Sequence, residues 1–189
     1  MLYGQINIQV GLGLRKAIIN QTSNGLGKIK FSSHPVVFVP NIGLNKTVTP
    51  KLGVGLEVSH QRHKKAPYVY NSFSSQFIIN GIDFSQTKIG SRFFWIPTKN
   101  LYLSSGLTVS YFSSFKYRFA GSDEIDTPIY FRSQLGIMGR VGYRINRFSI
   151  QLEYDKGLAY SAQYFRFFKP ISALEVSIIY EQPVNKRKK

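Results

Sequence analysis

Residues 102–112, YLSSGLTVSYF, alternate with a period of two. Leu103, Ser105, Leu107, Val109 and Tyr111 share one face, and Tyr102, Ser104, Gly106, Thr108 and Ser110 share the other. Successive side chains of a strand point to opposite sides, so this pattern predicts a strand with one apolar and one small, polar face. The period recurs seven more times. Ile6, Ile8, Val10, Leu12 and Leu14 stand against Asn7, Gln9, Gly11, Gly13 and Arg15, and Phe38, Pro40, Ile42 and Leu44 against Val37, Val39, Asn41 and Gly43. Leu52, Val54, Leu56 and Val58 oppose Gly53, Gly55, Glu57 and Ser59, and Ile89, Phe93 and Trp95 oppose Lys88, Gly90, Arg92 and Phe94. Leu135, Ile137, Val141 and Tyr143 oppose Gln134, Gly136, Met138, Arg140, Gly142 and Arg144. Phe148, Ile150, Leu152 and Tyr154 oppose Ser149, Gln151, Glu153 and Asp155, and Leu174, Val176, Ile178 and Tyr180 oppose Ala173, Glu175 and Ser177. Pro40 removes a ladder donor and is expected at a bulge or strand end.

Connection lengths alternate as well. Short links fall at NKTVTP (45–50), PTKN (97–100) and INR (145–147), and long ones at about 17–34, 61–80, 117–131 and 156–171. Eight strands with tight turns at one end and long loops at the other predict an all-β, eight-stranded antiparallel up-and-down barrel, the plan of transmembrane barrels.

The alternation alone leaves open which face is inside. A soluble lipocalin-like barrel would turn the apolar face inward and carry an apolar ligand there. The other face, however, is rich in glycine and carries both signs of charge: Arg15, Lys88, Arg92, Arg140 and Arg144 with Glu57, Glu153 and Glu175. An eight-stranded lumen needs small residues where strands crowd, and it holds charges only as pairs. The apolar face would be an aggregation hazard in water but is the surface a bilayer requires. The reading is therefore transmembrane, with Leu103, Leu107, Val109, Leu135, Ile137, Ile150, Leu152, Val176 and Ile178 facing lipid and a closed, charge-paired lumen. Tyr3, Trp95, Tyr143, Phe148, Tyr154 and Tyr180 fall near strand ends, where interfacial aromatics belong.

Composition sharpens the partner. Lys and Arg outnumber Asp and Glu by 25 to 9 in 189 residues, for a formal charge of +16, which favours anionic partners. Much of this charge lies in the long links, where Lys28, Lys30, Arg62, Lys64 and Lys65 are candidate contacts for the phosphates of lipid A. Lys16, Lys116, Arg118, Arg166 and Lys169 fall at the same end. The segment NKRKK closes a basic tail, 183–189, and no aromatic-rich motif accompanies it, so a nucleic-acid partner is not expected. No apolar run approaches the ~18 residues of a spanning helix. Residues 1–5 read as the remnant of an export signal, and residues 6–182 as the barrel.

Candidate chemistry is sparse. The absence of cysteine rules out disulfides, thiolate metal sites and cysteine nucleophiles. His34, His60 and His63 have no metal-ligand spacing, and GLGLRK precedes no helix that could hold phosphate. SHQRHKK (59–65) offers a further alternative beside the soluble carrier, a lipid A-modifying barrel enzyme using Ser59 and His60, but neighbours on a strand point apart. No catalytic residue, metal or cofactor is assigned.

The YGQINIQVGLG opening, IPTKNLYLSSGLTVSYF, RFSIQLEYDKGL and the closing ALEVSIIYE resemble the small outer-membrane barrel domain of Bacteroidota proteins, the PorT-like group. The resemblance covers nearly the whole chain and implies a signal-exported protein of the bacterial outer membrane, surrounded by lipopolysaccharide and inserted by the barrel-assembly machinery. An envelope protein partner is also implied, since one branch of the group serves secretion and gliding. The chain departs from barrels that end in an aromatic residue, because nine residues follow Tyr180. The expected role is structural or surface-binding, exerted through the basic loops.

Overall fold

The computed structural model describes residues 4–18, 36–66, 79–119, 125–126, 133–160 and 170–184. These form β1 (Ile6–Ile18), β2 (Val37–Thr47), β3 (Leu52–Ala66), β4 (Ile79–Trp95), β5 (Leu101–Phe119), β6 (Ile125–Asp126), β7 (Ser133–Ile145), β8 (Phe148–Tyr160) and β9 (Ser172–Pro183). The two-residue β6 pairs only with the loop end of β5. The other eight strands form one closed antiparallel ring, in which β4 pairs β5, β5 pairs β7 and β9 returns to β1.

Tight turns at one end fix the registers. Between β2 and β3 the Thr49 hydroxyl accepts the Leu52 N–H at 3.0 Å, and between β4 and β5 the Thr98 hydroxyl accepts the Leu101 N–H at 3.1 Å. β7 and β8 are joined by only Asn146 and Arg147, with Ile145 opposite Phe148. Asn146 adopts φ 56°, the left-handed conformation that asparagine tolerates in such turns. Both chain ends of the barrel lie here, tied by the Val184 N–H to the Ile6 carbonyl at 2.9 Å.

The apolar face is outside. Leu103, Leu107, Leu135, Ile137, Ile150, Leu152, Val176 and Ile178 are all exposed on the outer wall, and Val109 is half-buried there. Trp95, Tyr143 and Phe148 form part of an aromatic girdle at the short-turn end, where the Phe148 and Tyr180 rings lie 5.3 Å apart. A soluble carrier with its leucines inside is thereby excluded.

The strands run further toward the loop end than alternation indicates. β3 extends to Ala66 and β4 begins at Ile79, so the link expected at 61–80 is strand at its two ends. β5 likewise continues through Lys116 and Arg118 to Phe119. Apolar–polar alternation marks only the part of a strand that passes through lipid. Above it the outward positions no longer need to be apolar, and the pattern vanishes although the ladder persists.

Inside, crowding decides where glycine is needed. Gly142 lies beneath the Tyr102 ring and Gly53 beneath that of Phe94, so a β-carbon at either position would collide with an aromatic ring. With Ile96, these two rings form the apolar floor of the lumen. Gly142→Val should displace Tyr102 and lower unfolding free energy by about 1–3 kcal/mol, the usual cost of overpacking. Urea titration of the folded band in lipid vesicles measures this.

Candidate functional site: the charged lumen and the basic rim

Above the floor, every barrel strand contributes to one buried polar network. Arg92 on β4 sits near its base, donating to Glu57 on β3 at 3.0 Å, to Asn45 on β2 at 2.7 Å and to Gln9 on β1. Gln9 in turn donates to Glu181 on β9, whose other oxygen pairs with Arg144 on β7 at 2.7 Å. Arg140 bridges Glu57, at 2.7 and 2.8 Å, to Glu153 on β8. Lys88 donates to Glu153 at 2.5 Å and lies 3.8 Å from both Glu57 and Asp155. Arg15 completes the upper end, pairing with Asp155 at 2.8 Å and Glu175 at 3.4 Å, while Thr108 on β5 donates to Asp155 at 3.1 Å.

All eight lumen charges named from the sequence thus lie in this network, with Arg144 the least buried. Two charged members were not named: Asp155, which the alternation already set on the polar face, and Glu181, while Asn45, expected in the 45–50 turn, lies in β2 and joins the network. Asp155 and Glu181 each continue an inward alternation, past Glu153 and past Glu175 and Ser177, and that continuation was the available signal. With them the network holds five cations and five carboxylates. These ten described lumen charges cancel and contribute nothing to the chain's formal +16.

A second apolar layer closes the loop end. His63 stacks on Phe84 at 4.3 Å, and Phe112 lies 6.2 Å from Phe84 and 6.4 Å from Tyr160. Floor, ion pairs and aromatic layer thus follow one another along the lumen.

The basic rim is only partly described. Arg62 is exposed on the outer wall, and Lys64 and Lys65 belong to β3 rather than to a loop. Lys28 and Lys30 lie outside the described residues, as do His34, Arg166 and Lys169. Ser59 is buried in the lumen whereas His60 faces outward, hydrogen-bonded to Thr87 at 3.0 Å and Ser85 at 3.3 Å. The pair needed for a Ser–His enzyme is therefore not assembled. Among the described residues no cluster of His, Asp and Glu is arranged to hold a metal ion.

No protein-family model matches the chain, and neither does any curated protein. Solved structures do. Ail, the attachment invasion locus protein of Yersinia pestis, superposes with a TM-score of 0.56 at 13% identity, over 96% of this chain and 100% of Ail. A major outer membrane protein from Thermus thermophilus gives 0.53 at 11%, over 94% and 99%. OprG, an outer membrane protein from Pseudomonas aeruginosa, gives 0.51 at 14%, over 95% and 96%. The fold is that of small bacterial outer-membrane barrels. At such identities the likeness extends to the fold alone, and the apolar outer wall agrees with it.

Removing one partner of a buried ion pair leaves the other charge unmet, at about 3–5 kcal/mol. Glu57→Ala takes from Arg92 the carboxylate it pairs with and leaves Arg140 to Glu153 alone, and should cost about that much. Exposed Lys46→Ala should change stability by less than about 0.5 kcal/mol. Parallel urea titrations in vesicles compare the two.

Proposed function

We propose that this chain is a monomeric barrel of the bacterial outer membrane that conducts nothing through its lumen and acts at its surface. In this reading it is a structural or surface-binding protein whose basic loop end engages the phosphates of lipopolysaccharide. The observation that carries the proposal is the charge balance: lumen charges cancel among themselves, so the net +16 is left for the rim, loops and termini. Lys28, Lys30, Arg62, Lys64 and Lys65 are the proposed phosphate contacts, each supplying about 1 kcal/mol near an anionic surface. Residues 1–5 are proposed as the end of an export signal, 6–182 as the inserted domain and 183–189 as a basic tail at the short-turn end. Insertion by the barrel-assembly machinery, and membership of the PorT-like group of Bacteroidota with an envelope partner, complete the proposal.

The refolded protein should migrate differently with and without boiling, require detergent, and give no steady conductance in planar bilayers. It should bind lipid A in zwitterionic bicelles, weakening as salt rises through the range in which the Debye length falls below about 10 Å. Joint replacement of Lys28, Lys30, Lys64 and Lys65 by glutamine should reduce that binding at least tenfold, about 1.4 kcal/mol. Equal binding of dephosphorylated lipid A would overturn the surface-binding role while leaving the barrel intact.

A further inference from the structure

A groove of about 660 Å³ crosses the outer wall from the start of β1 to β5. Its size lies within the roughly 300–1,000 Å³ typical of small-molecule sites. The strand registers give its course. Lys46 stands opposite Ile6 on one side and Val54 on the other, Val54 opposite Phe93, and Phe93 opposite Ser105. One outward step higher, Leu44, Leu56, Ser91 and Leu107 make a second row. Both rows line the groove. Its depth comes from Ser91 and Ser105, two exposed outward positions fenced by the larger Leu56, Phe93 and Leu107. Beneath them Gly106 lets the β5 backbone press against β4, since a β-carbon there would collide with the Ser91 carbonyl oxygen. Leucine at either serine would suit hydrocarbon better, whereas serine keeps the groove open.

The two ends of the groove are unlike. Ile6 opens β1 and Lys46 is the penultimate residue of β2, so this end lies at the short turns, whereas Leu107 is the seventh residue of β5 and lies well up the wall. Among the described residues every exposed charge at the short-turn end is a cation: Lys46, Lys51, Lys99 and Arg147. The carboxylate there, Glu181, is buried and paired with Arg144. The groove thus begins at a cation with no competing surface carboxylate and is walled above it by apolar side chains. A phospholipid presents its phosphate and its acyl chain in that same order.

We propose that the groove holds one anionic phospholipid of the leaflet at the short-turn end. Its phosphate lies against Lys46, and one acyl chain runs up the wall over Val54, Phe93, Ser91 and Leu107. The occupant differs from the lipid A proposed for the basic loops, because the groove opens at the opposite end of the barrel. The inference rests on the membrane reading above, but not on the loop lysines.

Trp95 is a built-in reporter, being the chain's single tryptophan, exposed on the outer wall two residues beyond Phe93 on the same face. The full chain is refolded into phosphatidylcholine vesicles, and its fluorescence is quenched with phospholipids brominated on their acyl chains, either phosphatidylglycerol or phosphatidylcholine. Phosphatidylglycerol should reach half-maximal quenching at a membrane fraction about fivefold lower than phosphatidylcholine, the ratio that one cation near an anionic group supports. Lys46→Gln should abolish that preference and leave quenching by phosphatidylcholine as it was. Ser91→Leu together with Ser105→Leu fills the groove with side chains the outer wall accepts, keeps Lys46, and should remove most of the preference. A preference that survives intact in this double variant is surface attraction to Lys46 alone and overturns the groove, as does equal quenching by the two lipids in the unaltered chain. Quenching by both lipids that fades as the protein-to-lipid ratio rises gives the groove to a second copy of the chain and overturns the lipid. A chain that fails to give a heat-modifiable, detergent-dependent fold overturns the membrane reading instead, so the failures are distinguishable.

Discussion

Within a bilayer no water is present to hydrogen-bond exposed peptide groups, so each group must find its partner inside the protein. For a chain of short strands the solution is closure, and here the ring closes where β4 meets β5 and where β9 meets β1. The rest follows from it. Closure leaves an outer wall that must be apolar and an inner space too narrow for bulk water, lined by whatever faces the other way. Alternate positions thus face two different solvents, one supplied by the membrane and one built from the protein's own side chains.

That inner solvent is made of charges. Each guanidinium and carboxylate removed from water loses several kcal/mol of hydration, recovered only when partners sit at hydrogen-bond distance with good geometry. The network meets the condition by sharing: Glu57 serves Arg92 and Arg140, and Glu153 serves Arg140 and Lys88. Because its members come from all eight barrel strands, it also ties distant parts of the wall together across the lumen. Apolar layers of Phe94, Ile96 and Tyr102 below and of His63, Phe84 and Phe112 above separate it from either mouth.

The fold was legible in the chain because both faces left a signature. Leucine and valine at every second position marked the lipid side, and the glycines with Arg140, Glu153 and Glu175 marked the other. Who pairs with whom was not legible. Arg15 meets Asp155 across 140 positions of sequence, and such partners depend on barrel registers that no local pattern encodes. The upper parts of β3, β4 and β5 were hidden for a different reason: beyond the bilayer nothing forces a strand to alternate, and QRHKKA reads as loop although the ladder passes through it. The proline at position 40 announced a defect in pairing, but only the register shows that the defect faces β3 and leaves the β1 side whole.

The network is unevenly distributed along the chain. β9 carries Glu175 and Glu181, two of the five lumen carboxylates, and it is the strand that seals the ring against β1. The other seven barrel strands hold five lumen cations against three carboxylates. The strand that completes the wall thus also completes the charge balance of the interior, because without Glu175 and Glu181 the lumen residues carry two more cations than carboxylates.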